Sequence, residues 1–342
     1  MAPQRLTVGI TGGAGYIGSS LAKHLSQPFN VKIFDIRPPR QEISNRVEFQ
    51  ACDIRNFDET KKKLEHVDLV IHTAIIQIPA INEKKKLGYE VNFLGTQHIC
   101  KAVDESPRVK GMVLAGSWHT IGETGLTGII NEEFGFRPDK VEDRARLYAL
   151  SKIAQESILR FYDEMSGKTF GIIRMGTVLG EGMPEKTAAN IFIENGLCGK
   201  PLTPFKHSMF RPMVYANIRD ICRAYEIFAR KILNGELEKR CNSLEHIFNV
   251  YYPEPVTILE LAKIVKDTIT EFSKGKIEPK IEVINTGQPC RFAEEDKKLI
   301  KLDVSKAMDF LGLRRLMSVE ESIREIISMR MEKLKLPEAI EP

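Results

Sequence analysis

The sequence predicts an α/β fold, in which a doubly wound parallel sheet is accompanied by a smaller, mostly helical C-terminal lid. Three observations lead to this fold class. Short apolar segments alternate with helical ones through the first half, a glycine-rich turn follows the first apolar segment, and glycine and proline become frequent after Gly180. Because parallel strands need crossover connections, this alternation predicts a sheet with helices on both faces.

The predicted elements are short and regularly spaced. Apolar runs of strand length occur at 6–10, 31–35, 47–52, 69–72, 109–115 and 170–175, with a further candidate at 246–251. Helical patterns occupy 17–25, 91–103, 144–165 and 218–233, and the chain from 253 onward is expected to be mostly helical. We expect a larger domain from 1–180, to which 213–252 returns, and a smaller one from 181–212 and 253–342.

The composition is that of an ordinary globular protein of 342 residues, with 42% hydrophobic and 28% charged residues and a net charge of +4. The lysine runs at 61–63 and 84–86 have no interleaved aromatic residues, so they indicate solvated helix ends and no nucleic-acid partner. Six cysteines form no CxxC pair, which favours reduced cysteines in a cytoplasmic protein. The sequence has no HExxH spacing and no apolar run of transmembrane length, so we expect no metal site and no membrane span.

The turn after the first strand has the spacing of a phosphate-binding loop. In the segment Thr11–Gly18, TGGAGYIG, Gly12 permits the turn, Gly15 allows a diphosphate to approach, and Gly18 allows the helix to pack closely. Asp35 ends the next strand, 17 residues after Gly18, where a carboxylate accepts ribose hydroxyls. A plain turn with a surface aspartate is the alternative. The arrangement favours a bound dinucleotide, with contacts from Gly12, Gly15, Tyr16, Ile17 and Asp35.

The charge near the second strand bears on which dinucleotide binds. The Asp35 carboxylate favours NAD because it repels a 2′-phosphate. Arg37 and Arg40 lie close by in sequence and could bind that phosphate, so NADP stays open as the alternative.

A tyrosine and a lysine four residues apart suggest acid–base chemistry. Tyr148 and Lys152 lie in the predicted helix 144–165, and residues at this spacing share one helix face. We expect the ammonium to lower the tyrosine pKa, so that the phenolate can remove a hydroxyl proton. Tyr148 is the only one of eight tyrosines with a lysine at this spacing. An ordinary amphipathic-helix tyrosine is the alternative.

Together, TGGxGxxG and Tyr148-Ala-Leu-Ser-Lys152 resemble the extended short-chain dehydrogenases, the family of sugar-nucleotide epimerases and dehydratases. The resemblance runs to about Gly312 and implies a Rossmann fold with NAD as cofactor. It also implies catalysis by Ser117 with Tyr148 and Lys152. Further cofactor contacts implied by motifs in matching order are Asp53, Ile54, Thr73, Ala74, Asn92, Tyr148 and Lys152.

The same resemblance implies a set of substrate contacts. Trp118 and His119 follow Ser117, where related dehydratases carry an Asp-Glu pair, so elimination of water is disfavoured. A polar wall is the alternative role of His119, and surface ion pairs are the alternative for Arg211 and Arg291, which would otherwise clamp a diphosphate. The expected contacts are Ser117, Trp118, His119, Thr177, Asn190, Phe205, Arg211 and Arg291.

These features predict an NAD-dependent sugar-nucleotide epimerase, most simply one that acts on the 4-hydroxyl of a UDP-sugar. Two departures keep a dehydrogenase of a sugar or sugar acid open, similar to uronate dehydrogenases: Thr177 replaces the usual asparagine, and Arg291 lacks its usual Gly-Asp context. A non-catalytic NAD-binding regulator is a third reading, which the Tyr148–Lys152 pair disfavours.

The predicted helix 144–165 is apolar on more than one side. Family members often dimerise by packing this helix and its neighbour into a four-helix bundle, so we expect a homodimer. Coverage by the lid or by a loop is the alternative.

Overall fold

Seven parallel strands form the central sheet in a computed structural model, which describes residues 5–237 and 242–335. The strands are β1 (Thr7–Thr11), β2 (Asn30–Asp35), β3 (Glu48–Ala51), β4 (Leu69–His72), β5 (Gly111–Ser117), β7 (Thr169–Met175) and β11 (Ile247–Val250). Their order across the sheet is β11-β7-β5-β4-β1-β2-β3. The predicted doubly wound parallel sheet is therefore confirmed.

The order of the sheet reverses at β1, which pairs with β2 on one side and with β4 on the other. From β1, successive strands are added toward one edge of the sheet through β2 and β3, and toward the other edge from β4 onward. This change of direction opens a crevice at the carboxyl ends of the strands. β1, β4 and β5 are buried along their whole length, which explains why their short apolar runs predicted strands. The glycine turn after β1 and the final residues of β4 and β5 lie at this edge of the sheet.

Six further strands form three small pairs outside the main sheet. β6 (Gly128–Ile130) pairs in parallel with β13 (Ile300–Leu302), and β8 (Thr177–Leu179) pairs in parallel with β10 (Tyr215–Asn217). β9 (Pro212–Met213) and β12 (Val256–Thr257) are antiparallel. Elements of two or three residues are too short to show a periodicity, so the sequence did not predict them.

The helices cover both faces of the sheet. They are α1 (Tyr16–Leu25), α2 (Gln41–Ser44), α3 (Phe57–Leu64), α4 (Ala80–Glu83), α5 (Lys85–Tyr89), α6 (Thr96–Glu105), α7 (Arg146–Met165), α8 (Ala188–Leu197), α9 (Ile218–Leu233), α10 (Ile258–Phe272), α11 (Ser305–Leu311) and α12 (Val319–Lys335). The predicted helix 91–103 is in fact a π-helical segment, Glu90–Gly95, that continues into α6.

The C-terminal part contains a packed group of helices, in which α10 contacts both α8 and α12. α8 was not predicted, because glycine and proline flank it closely; its N-cap, Thr187, accepts a hydrogen bond from the Asn190 N–H. α10, α11 and α12 form the helical C-terminal part that the sequence predicted, and the chain between α10 and α11 is mostly irregular. In the described ranges, no helix has the length and apolar character needed to cross a membrane.

Candidate active site

The glycine-rich turn lies where the end of β1 meets the end of β4. Gly12 has a φ of +71°, and a Cβ atom there would lie 2.5 Å from the main chain of Ala74. A Cβ atom on Gly18 would lie 2.4 Å from the Gly12 carbonyl oxygen. Gly15 is the N-cap of α1, whose first turn has no side-chain cap and no acidic residue. The free N–H groups of this turn therefore fit an anionic diphosphate.

The first two residues of α1 face the protein interior. Ile17 packs against the main hydrophobic core. The Tyr16 hydroxyl is buried without a hydrogen-bond partner among the described residues, and burial raises the pKa of this tyrosine. A Cβ atom on Gly180 would lie 2.6 Å from that hydroxyl, so the turn after β8 closes over the start of α1.

Two aspartates follow β2 and β3 on the same edge of the sheet. One Asp35 carboxylate oxygen accepts a hydrogen bond from the Ala14 N–H at 3.1 Å, which places it beside the glycine turn. Asp53 pairs with the guanidinium of Arg55 at 2.5 Å, and this contact lowers the pKa of the Asp53 carboxyl. Ile54 is buried beside it. The sequence therefore identified two neighbouring acids, but it did not show that Arg55 engages one of them.

Asn92 fixes the loop after β4. Its side-chain amide donates to the carbonyl oxygen of Ile76 at 3.0 Å and accepts from the Ile76 N–H at 2.8 Å. The Thr73 hydroxyl donates to the Thr11 carbonyl oxygen at 2.8 Å, which ties this loop to β1. Asn92 itself is fully buried. It holds the loop through hydrogen bonds to the main chain.

Ser117, Tyr148 and Lys152 come together at the end of β5. Ser117 is the last residue of that strand, and its hydroxyl is hydrogen-bonded to the Tyr148 hydroxyl from α7. Lys152 lies one turn further along α7, with its Nζ atom 6.0 Å from the centre of the Tyr148 ring. Helical spacing therefore puts the tyrosine and the lysine on the face that meets the strand end.

The expectation that Lys152 lowers the tyrosine pKa is wrong for the structure described here. Burial raises the pKa of Tyr148 to about 12, and only its hydrogen bond with the Ser117 hydroxyl opposes this effect. Burial also lowers the pKa of Lys152 to about 7, so its ammonium is only partly charged at neutral pH. The sequence shows the spacing of the two groups, whereas their degree of burial depends on the whole fold.

His119 occupies the space beside this group. Its Nδ1 atom lies 3.2 Å from the Ser117 hydroxyl oxygen, and its ring meets the Tyr148 ring edge-on with centres 5.5 Å apart. Its Nε2 atom lies 3.4 Å from the buried carboxylate of Glu123. Burial lowers the pKa of His119, so the imidazole is neutral near pH 7.

Arg211 extends the cluster on the side away from Ser117. One of its terminal nitrogens lies 3.0 Å from Glu142 and 3.7 Å from Glu123. The guanidinium is largely buried, and its Nε atom has no hydrogen-bond partner within the part of the chain that the structure describes. This buried cation is therefore held beside the site by carboxylates while one donor stays free.

The other residues predicted to contact the substrate are spread more widely over the structure than Ser117 and His119. Trp118 differs most from expectation, because it is 1% exposed and packs in the main hydrophobic core. The Asn190 amide oxygen accepts from Arg330 at 2.6 Å, so another side chain already engages it. Thr177 begins β8, whereas Phe205 is 48% exposed and Arg291 is exposed at the protein surface.

The arrangement combines a proton acceptor, a hydroxyl that can bind an alcohol oxygen and a lysine that can set the local charge. These groups suit reversible proton removal from an alcohol when an adjacent cofactor handles the hydride. Residues 5–237 and 242–335 contain no group of three or more His, Cys, Asp or Glu side chains that could hold a metal ion.

Comparison with known proteins assigns the family. The sequence profile of the NAD dependent epimerase/dehydratase family matches residues 8–243, more than half of the chain. The chain belongs to this family. As an epimerase/dehydratase family member it uses NAD, and the uncapped α1 terminus and the close-packed Gly12 turn fit that dinucleotide.

Similar proteins of the family differ in how much of the chain they match. A putative UDP-glucose 4-epimerase of Methanocaldococcus jannaschii is 26% identical over 329 residues, covering 93% of this chain and 96% of the relative. A uronate dehydrogenase of Pseudomonas syringae pv. tomato is 28% identical over 178 residues, covering 52% and 59%. The uncharacterized y4nG protein of Sinorhizobium fredii is 33% identical over 176 residues, and the chain spans only 41% of its length.

Solved structures of the family share the fold. The Thermotoga maritima UDP-glucose 4-epimerase, determined with UDP-glucose, superposes with a TM-score of 0.76 at 20% identity, covering 96% of this chain and 100% of the other. At this identity the likeness establishes the fold alone.

Sequence reasoning missed the acidic side of this family member's site. Glu123 follows His119 by four residues, a spacing that could have suggested a histidine–carboxylate pair. Glu142 carries no such signal. It reaches Arg211 only because the loop before α7 folds back, with the Glu142 N–H donating to Glu123 at 3.1 Å.

Proposed function

We propose that the protein is an NAD-dependent epimerase that inverts the 4-hydroxyl of a nucleotide-linked sugar, most simply a UDP-sugar. The observation that carries this proposal is Arg211. Its buried guanidinium lies next to the Ser117–His119–Tyr148 group and keeps an unpartnered Nε donor within the described chain. A planar guanidinium with a free N–H suits a diphosphate, which would hold the attached sugar close to Tyr148.

The residues at the carboxyl ends of β1–β5 would hold the cofactor. NAD, when bound, would take the hydride from the sugar carbon and return it. The residues proposed to contact it are Gly12, Gly15, Tyr16, Ile17, Asp35, Asp53, Ile54, Thr73, Ala74, Asn92, Tyr148 and Lys152. Asp35 supports NAD over NADP, since its carboxylate stands beside the glycine turn.

The protein's own groups would manage the proton. Ser117 would bind the reacting hydroxyl oxygen, and Tyr148 would take the proton as the ketone forms. Lys152 would raise the positive potential around the phenol when protonated. After the keto-sugar rotates to present its opposite face, the same groups would return the proton to the oxygen of the new epimer.

The substrate beyond the reacting carbon would lie against the lid. We propose that Arg211 and Arg291 bind the diphosphate, that Phe205 packs on the base, and that Thr177, Asn190 and His119 line the sugar pocket. The exposure of Phe205 supports a stacking role, because a ring that is 48% exposed has a free face. Asn190 would first have to release Arg330.

The test is a panel of nucleotide sugars with and without added NAD. Inversion at C4, followed by NMR of the sugar ring, without accumulation of the reduced cofactor, is the expected result. A Tyr148→Phe variant serves as the control. Steady accumulation of reduced cofactor with an oxidised sugar product would contradict the epimerase proposal.

The second candidate is an NAD-dependent dehydrogenase of a sugar or sugar acid. It is favoured by the His119–Glu123 pair, because a net oxidation must dispose of the substrate proton and this pair can accept it. The similarity of about half of the chain to a uronate dehydrogenase also supports it. A non-catalytic NAD-binding regulator is disfavoured, since Ser117, Tyr148 and Lys152 are brought together.

We also propose that the protein is a homodimer that associates through α7. Along this helix Leu150, Phe161 and Met165 are 40%, 69% and 52% exposed. Leu159, on another side of the helix, is fully buried in the protein's own core. An exposed apolar stripe of this kind on a helix that already packs on its other side supports a partner surface.

A further inference from the structure

A connected series of polar groups leads from the Tyr148 hydroxyl to the buried carboxylate of Glu123. The Ser117 hydroxyl contacts both Tyr148 and the Nδ1 atom of His119, the latter at 3.2 Å. The Nε2 atom of His119 lies 3.4 Å from a Glu123 carboxylate oxygen. Glu123 is 2% exposed, so this carboxylate lies in the interior beside the imidazole.

The partners assign the protonation state of the imidazole. The Glu123 carboxylate lies 3.4 Å from Nε2 and has no proton to donate, so it favours the tautomer that carries its proton on Nε2. The Nδ1 atom then offers a lone pair to the Ser117 hydroxyl. A neutral imidazole in this tautomer is prepared to receive a proton on the side of Tyr148 while its other side stays anchored.

The groups that surround His119 carry both signs of charge. Glu123 and Glu142 raise the pKa of His119, whereas burial, Arg211 and Arg144 lower it. Tyr148 and Ser117 face it from α7 and β5. Arg144 pairs with Glu142 at 2.6 Å and is 58% exposed, so the charged cluster reaches solvent. Glu123 is thus the acid nearest the ring, and it stabilises the imidazolium.

We propose that His119, anchored by Glu123, is the proton reservoir of the site, which receives through Ser117 the proton that Tyr148 takes from the substrate hydroxyl. This inference rests on the proposed function and deepens it. His119 acts through Ser117, so it is a positioning and proton-holding residue and does not itself touch the reacting carbon.

Three protons move when the substrate alcohol is oxidised. The substrate O–H bond breaks and its proton bonds to the Tyr148 oxygen, while the Tyr148 proton passes to Ser117 and the Ser117 proton passes to His119 Nδ1. The products are a ketone, neutral Tyr148, neutral Ser117 and an imidazolium paired with Glu123; bound NAD would supply the hydride acceptor. On the return the same three protons move back. Tyr148 never has to exist as a free phenolate, which its high pKa in this site would disfavour.

The first test uses the cofactor-free protein and needs no turnover. Side-chain 15N NMR of His119 should show a proton on Nε2 and a bare Nδ1, and the titration of this ring should move to lower pH in Glu123→Gln. The amide of Gln can keep the hydrogen bond from the Glu142 N–H, so the variant removes charge with little change of shape. A proton on Nδ1, or a titration unaffected by Glu123→Gln, would overturn the proposal.

The second test is the pH dependence of kcat. In the wild type kcat should fall at acid pH as His119 becomes protonated and can no longer accept a proton. Glu123→Gln should move this acid limb to lower pH. His119→Gln should remove the limb and lower kcat by about 10- to 100-fold, with partial rescue by added imidazole. His24→Gln, which removes a surface histidine–glutamate pair between α1 and α9, is the matched control and should leave the profile unchanged.

The outcomes separate this inference from the proposed function. If Tyr148→Phe abolishes turnover while His119→Gln and Glu123→Gln keep the wild-type pH profile, His119 is not the proton reservoir. The proposed function then still stands. If Tyr148→Phe retains turnover, the proposed function itself fails. If His119→Gln is poorly folded, the Glu123→Gln titration and pH profile still decide the question.

Discussion

The ammonium of Lys152 donates a 2.7 Å hydrogen bond to the main-chain carbonyl oxygen of Ala115, inside β5. Lys152 is 5% exposed, and its side chain lies between α7 and the sheet. A buried ammonium with one neutral partner is poorly compensated for the loss of water, which is why its pKa falls to about 7. The lysine proposed to be catalytic therefore lies in an environment that destabilises its charged form.

The burial of this charge leads to a prediction about stability. Between pH 7 and 10.5 the unfolded chain binds a proton at this lysine that the folded chain does not, so wild-type stability rises with pH in that window. Below about pH 7 both states are protonated and the burial penalty is complete. Lys152→Met should thus raise the free energy of unfolding of the cofactor-free protein by about 1–4 kcal/mol near neutral pH, and the gain should shrink toward pH 10.

Urea unfolding of the two proteins at several pH values measures this difference. Lys62→Met, at an exposed position of α3, is the control and should show no pH-dependent gain. A Lys152→Met variant that is less stable than the wild type below neutral pH would show that the ammonium is well accommodated.

The glycine turn gives a prediction about cofactor binding. Gly12→Ala places a Cβ atom 2.5 Å from the Ala74 main chain at a φ of +71°, so the turn must move and NAD affinity should fall at least ~10-fold. Gly128→Ala is the matched control, because Gly128 has a similar φ of +76° but no atom within 4 Å of the added Cβ. It should lose about 1 kcal/mol of stability and keep its NAD affinity by calorimetry. Equal loss of affinity in both variants would argue against the close approach at Gly12.

The charge of Arg211 can be kept while its shape is changed. Arg211→Lys retains a cation beside Glu142 but loses the planar fork, so KM for the nucleotide sugar should rise about 10-fold with a smaller change in kcat. Arg144→Lys, on the exposed side of Glu142, is the control and should have little effect. An unchanged KM in Arg211→Lys would remove the diphosphate clamp from the account.

Much of the fold could be predicted because its signals are local. β4 was predicted with its exact bounds, Leu69–His72, since a fully buried strand reads as a continuous apolar run. The pairing of β6 with β13 could not be predicted, because it joins segments about 170 residues apart through strands of three residues. The same limit applies to the site. Motifs identified Ser117, Tyr148 and Lys152, whereas Glu142 reaches the cluster only through a loop.

The electrostatics could not be predicted from spacing. The interval between Tyr148 and Lys152 correctly places both groups on one face of α7, but the direction of the tyrosine pKa depends on how much water the fold excludes. Trp118 illustrates the same point, since this neighbour of Ser117 turns into the core and leaves His119 beside the hydroxyl.

The exposed apolar side chains of α7 predict that the protein is a homodimer. Phe161→Glu introduces a charge at a side chain that is 69% exposed, so it should convert a dimer into a monomer without loss of folding. Ile129→Glu, at a 56% exposed position of β6, is the control and should leave the dimer intact. Light scattering at micromolar concentration measures both, and a wild-type monomer would reject the dimer.

The most direct test of the central claim, that Tyr148 moves the substrate proton beside bound NAD, is to compare the wild type with Tyr148→Phe. Conversion of a UDP-sugar is followed by NMR, and NAD binding is followed by calorimetry. We expect the variant to bind NAD as the wild type does and to convert the sugar at least ~1,000-fold more slowly, in line with the loss of a general acid–base group. Conversion by Tyr148→Phe at the wild-type rate would contradict the account.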